Sequence, residues 1–154
     1  MEVAERWRPF AHIAAERLDR QILAFHAAHL AMALIAGGDW ATADRQLGML
    51  RERSAHHGPG LIGGVLVPLI ERLHAFAARD YRRAVERLEP VAPRVVALGG
   101  IRAQRDVFHD TLLEACFRAE DMDRAERLLA ERIARRPDHF WKSRTAIGIG
   151  TAAR

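Results

Sequence analysis

A chain of 154 residues that is 49% hydrophobic and 29% charged has the length for one domain and the apolar content for a packed core, which excludes an intrinsically disordered chain. The net charge of +4 rests almost wholly on arginine, yet the arginines alternate with acids, as in "RLDRQ", "VERLE" and "DRAERLLAERIARR", the pattern of solvated helix faces rather than of a nucleic-acid partner's binding surface. The longest uncharged apolar run, "GPGLIGGVLVPLI" at 58–70, holds two prolines and four glycines and falls short of the ~20 residues a spanning helix needs, which argues against a membrane helix.

The amino-terminal stretch "MEVAERWRPF" is charged and lacks the apolar core of a secretory signal, so a cytoplasmic location is expected. A first helix is expected near 3–17, with Pro9 ending or kinking a turn. Leu23, His26, Ala27, Leu30 and Leu34 then recur at helical spacing, which predicts a helix over 20–36 with Asp19 as its candidate cap.

Three segments align without gaps: "AGGDWATADRQL" at 36–47, "AARDYRRAVERL" at 77–88 and "RAEDMDRAERLL" at 118–129. Asp39, Asp80 and Asp121 coincide, as do Trp40, Tyr81 and Met122, then Ala43, Ala84 and Ala125, then Leu47, Leu88 and Leu129, each 41 residues apart. A cap aspartate, a large apolar residue and a small alanine three later describe the turn and second helix of a helical hairpin. The pattern predicts hairpins over 20–36 with 40–55, 64–78 with 81–97, and 102–119 with 122–135. Gly58–Gly64 and Gly99-Gly100 mark the breaks between them, and Pro90 and Pro93 should kink or shorten the helix drawn to 97. Leu112, Ala115, Cys116 and Ala119 form the apolar stripe of the third hairpin, where Cys116 has no second cysteine to pair with and reads as a buried structural thiol. One helical-repeat domain over 1–137 is expected, followed by a short helix and frayed tail over 138–154.

The hairpins, with their alanine and leucine anchors, resemble tetratricopeptide repeats, although 41 residues exceeds the usual ~34. More narrowly, Phe25, His29, Gly99, Gly100, Gln104, Arg105, Asp106, Val107 and Phe108 resemble the carboxy-terminal region of the tetratricopeptide repeat protein 38-like family. The resemblance covers about 20–137; where that family commonly has Asn and Ser-His, this chain has His26 and Ile101-Arg102. It implies an all-α fold of about seven helices, with antiparallel hairpins stacked as a short α-solenoid. Such proteins carry further repeats ahead of this region, so the first helix is expected to expose an apolar face and to form a homodimer.

His26 and His29 are three apart, as are Asp106 and His109, so each pair shares a helix face. In a tetratricopeptide-like stack the first helices line the concave surface, where both pairs would meet one groove and offer metal ligands or an acid–base pair. Arg105 beside Asp106 opposes a cation, and no metal is expected. Arg102 with Asp106 and Arg105 with His109 have i,i+4 spacing for local pairing. Gln104, Arg105 and Asp106 read best as a structural network joining repeats, and His29 as a hydrogen-bonded core histidine. Neither GxGxxG nor GK[ST] occurs, and no cofactor is expected. The expected function is a non-catalytic module whose concave groove binds a protein or peptide partner. The alternative is a small-molecule-binding protein or enzyme using His26, His29, Arg105, Asp106 and His109 around an apolar pocket walled by Trp40 or Phe108.

Overall fold

The computed structural model describes residues 3–20 and 23–135. Every regular element among them is helical. In chain order they are α1 (Val3–Glu16), a 3-10 turn (Leu18–Arg20), α2 (Ala24–Gly37), α3 (Trp40–His57), a π-helical turn (Ile62–Leu66) running into α4 (Val67–Ala77), α5 (Tyr81–Leu88), a 3-10 segment (Ala92–Leu98), α6 (Arg102–Arg118) and α7 (Met122–Arg135). The expected all-α class holds. The short helix and tail expected over 138–154 lie outside the described residues.

The 41-residue repeat reappears as backbone geometry. Gly38, Arg79 and Glu120 all adopt left-handed backbone, with φ of 82°, 63° and 59°. In each turn that residue's N–H donates to a carbonyl three back, on Ile35, Phe76 or Phe117, and the next N–H reaches five back, to Leu34, Ala75 or Cys116. This pair of bonds satisfies carbonyls that the end of a helix otherwise leaves orphaned. Asp39, Asp80 and Asp121 follow, accepting from the backbone N–H of Thr42 at 3.2 Å, Arg83 at 3.3 Å and Arg124 at 3.3 Å, and so start the next helix. Ala43, Ala84 and Ala125 are fully buried; their small side chains let the paired helices approach.

α2 sits at the centre of the amino-terminal half, against α1, α3 and α4, and α4 in turn touches α6. A helix covered on several sides needs small or apolar residues all round, and α2 buries Ala27, Ala28, Ala31, Ala33, Leu34 and Ile35. α1 lies so close that a Cβ on Gly37 would overlap the Ala11 side chain. Pro9 does not end α1: the helix continues to Glu16 with the ring exposed, at the cost of one hydrogen bond to the Glu5 carbonyl. Asp19 is not the cap of α2. It falls within the 3-10 turn, and the cap position belongs to Leu23, which offers no side-chain bond.

The second hairpin departs most from the expected outline. Its first helix is under way before residue 64, because Gly63 and Gly64 lie inside the π turn rather than in the break, which is confined to Gly58 and Pro59. Pro68 explains the turn: it has no N–H for the Gly64 carbonyl and its ring would clash there. The wider turn, with Val67 N–H donating to Ile62 and Gly64 N–H to Pro59, re-spaces the carbonyls. Ser54 of α3 packs so tightly on Gly63 that a Cβ there would overlap its hydroxyl. At the other end α5 stops at Leu88, before Pro90, and the chain continues as the 3-10 segment. Ala92, Val95 and Leu98 are its buried residues, a spacing of three that matches the 3-10 repeat.

Candidate functional site

The Gly99-Gly100 loop is held on both faces. Both glycines have positive φ, 93° and 75°, and a Cβ on Gly100 would overlap the Phe25 ring. A side chain is therefore excluded there twice, by backbone conformation and by space. Arg105 turns back from α6 and donates through Nη1 to the carbonyl oxygens of Gly99, at 3.2 Å, and Gly100. Gln104 Oε1 accepts from the Ile101 N–H at 3.0 Å, one half of a capping box whose other half Ile101 has no oxygen to make.

On the far side of Gly100, the Phe25 ring lies 4.2 Å from the His29 ring. His29 Nδ1 is 2.9 Å from the Phe25 carbonyl oxygen, which only accepts, so Nδ1 carries the proton. The same imidazole meets the edge of Phe108 at 5.3 Å and 72°, and Phe108 is buried. Phe25, His29, Gly100, Arg105 and Phe108 thus form one connected set that ties α2 of the first hairpin to α6 of the third. The i,i+4 pairing expected for Arg105 with His109 gives way to this clamp.

Two grooves flank the set. One, of about 650 Å³, runs between α2, the end of α3, the π turn and the glycine loop, and is lined by Phe25, His26, Leu50, Arg53, Leu61, Ile62, Gly100 and Gln104 among others. The other, of about 630 Å³, lies between the 3-10 segment, α6 and α7, and holds Arg102, Arg105, Asp106, His109, Glu89 and Arg127. The two pairs expected to meet in one groove are therefore divided: His26 lines the first, Asp106 and His109 the second, and His29 is packed between aromatic rings. Charges around the second groove answer each other, with Arg127 on Glu89 and 3.5 Å from Glu131, Arg124 3.4 Å from Glu89, and Arg132 bidentate on Asp110 at 2.6 and 3.0 Å. Asp106 and His109 also have partners. Among the described residues no three of His, Cys, Asp and Glu converge as metal ligands. Phe108 is too deeply buried to wall a pocket, and Trp40 stands elsewhere, its ring 5.8 Å from His74.

The seam where α3 meets α4 carries groups that the sequence does not single out. His74 Nδ1 lies 3.6 Å from Asp44, and Arg51 bonds Glu71 through Nη2 at 2.7 Å and Nε at 3.3 Å. His74 Nε2 is buried without a hydrogen-bond partner among the described residues. Burial pushes the His74 imidazole below its ordinary pKa, against the pull of Asp44. Cys116 is buried and free, and burial, followed by the charge of Asp121, pushes its thiol up to about 11. It stays a neutral packing group at physiological pH. Arg53 and Leu61, which rim the first groove, carry no signal in the sequence: an exposed helix arginine and a leucine at a helix start look alike anywhere.

No protein-family model matches the chain, and no solved structure matches it. Among the described residues no helix is long and apolar enough to cross a membrane.

Proposed function

We propose that this chain is a tetratricopeptide-like helical-repeat protein that binds a protein or peptide partner in the groove beside Gly100. The observation that carries the reading is the thrice-repeated turn and cap, with the first helices α2, α4 and α6 in sequential contact, as stacked hairpins require. An open, largely apolar groove lies where the starts of α2, of the π turn and of α6 come together beside the end of α3. The resemblance of Phe25, His29, Gly99, Gly100, Gln104, Arg105 and Phe108 to the tetratricopeptide repeat protein 38-like family supports the same reading. Binding is favoured over catalysis because Arg105, His29 and the side-chain oxygen of Gln104 are engaged by the scaffold, while His26 and the Asp106–His109 pair face different grooves. The test is amide chemical-shift mapping with a pool of randomised short peptides. Shifts clustered on α2, the π turn and residues 99–104 are expected; shifts confined to the α6–α7 groove, or none, overturn the assignment.

Self-association belongs to a different surface. The outer side of α1 exposes Phe10 at 58% and Ile13 at 43%, which supports a dimer through that helix. Sedimentation equilibrium should show a dimer that Phe10→Glu dissociates, and a monomer at every concentration refutes it.

A further inference from the structure

We propose that the groove beside Gly100 selects an acidic segment bearing one bulky apolar side chain, an inference that rests on the binding reading above. The groove has an apolar floor, including Phe25 and Ile62, and Leu61 at its rim is 39% exposed, so a partner's apolar side chain has surface to cover. Its charge is one-sided. Arg53 lines it, is exposed and makes no ion pair among the described residues, and no described lining residue is an aspartate or glutamate. Gln104 contributes in the same sense: its Oε1 is engaged by the Ile101 N–H, which leaves the amide nitrogen, a donor, for a ligand.

The neighbouring groove supplies the contrast. It brings three arginines, Arg102, Arg105 and Arg127, together with three carboxylates, Glu89, Asp106 and Glu131, so it has no comparable imbalance to select a partner's charge. In the groove beside Gly100 a partner carboxylate meets an unanswered guanidinium and a free amide donor, whereas a basic partner brings a like charge to Arg53. The absence of a side chain at Gly100 lets the Phe25 ring pack onto the loop, so the ring itself forms part of the apolar surface that the partner's side chain covers.

The experiment is fluorescence anisotropy on the full chain with three labelled short peptides: a single leucine flanked by glutamates, the same leucine flanked by lysines, and the glutamate peptide with serine replacing leucine. The glutamate–leucine peptide should bind about fivefold more tightly than the lysine peptide, the sum of one gained and one repelled exposed charge, and its affinity should fall as salt rises. It should bind about tenfold more tightly than the serine peptide. Arg53→Glu should reverse the charge preference and Arg53→Gln should abolish it; the site is exposed, and circular dichroism checks that each variant is folded. Equal binding of the glutamate and lysine peptides overturns the acidic selectivity and leaves the binding reading standing. Failure of all three peptides to bind overturns both. A dimer that Leu61→Asp dissociates would identify a second copy of the chain as the occupant and also overturn the proposal.

Discussion

Arg79 and Glu120 hold a left-handed backbone that Gly38 holds at the equivalent place in the first hairpin. For a residue with a Cβ that conformation costs roughly 1 kcal/mol or more, offset in part by the greater freedom glycine has to lose on folding. Arg79→Gly and Glu120→Gly should therefore each raise stability by about 0.5–1 kcal/mol, and Gly38→Ala should lower it by about 1 kcal/mol, measured by urea unfolding. A loss of stability in both glycine variants would mean that the two side chains make contacts outweighing the strain. His74 gives a residue-scale dependence on pH. Burial lowers its pKa below 6.5, Asp44 opposes, Arg51 reinforces and Glu71 opposes, and burial prevails because Asp44 is 72% exposed and screened. The folded chain thus takes up this proton less readily than the unfolded one. The stability that neutral His74 allows is complete above about 6.5 and is lost as pH falls below it. Between pH 7 and 5 the wild type should lose more melting temperature than His74→Gln; parallel curves would show that the imidazole does not titrate on unfolding.

At the scale of elements, the clamp on the glycine loop sets where α6 begins. Arg105→Ala removes the donor to two carbonyls and should cost about 1 kcal/mol, whereas Gly100→Ala forces a Cβ against Phe25 and should cost more. The reverse order in thermal unfolding would mean that Phe25 yields easily and the loop is held by Arg105 alone. The hairpins were legible because cap, large apolar residue and alanine recur every 41 residues, and each serves a step of the same turn. The 3-10 segment was legible in principle, since Ala92, Val95 and Leu98 stand three apart, but a helix drawn through Pro90 and Pro93 conceals that spacing. The π turn was not, because Pro68 can be accommodated by ending a helix as well as by widening it. The division of the candidate site was hidden for a rotational reason. Asp106 and His109 do share a face, but burial of Phe108 against His29 fixes how α6 is turned, and that tertiary contact sends the face to the groove away from His26.

On the scale of the whole molecule, hairpins that met only their sequence neighbours would unfold progressively from the ends, since each interface would be independent of the rest. α2 and α4 do make such neighbour contacts, as do α4 and α6. The chain adds a bond between first and third hairpins: Phe25 of α2 fills the space over Gly100, His29 stacks on it, and Phe108 of α6 meets the same imidazole. Aromatic contacts of this kind are worth about 0.5–1.5 kcal/mol each beyond their buried area. Because they join elements distant in sequence, they make opening of α6 and α7 depend on disruption of α2. In the wild type, native-state hydrogen exchange should therefore give core amides of α2 and α6 the same opening free energy. Phe25→Ala should separate them, lowering protection of α6 and α7 by about 1–2 kcal/mol while α2, still held by α1, α3 and α4, changes less. Uniform loss across all helices would mean that the hairpins unfold as one unit without this link, and unchanged protection of α6 would mean that the glycine loop is held by Arg105 rather than by the ring beneath it.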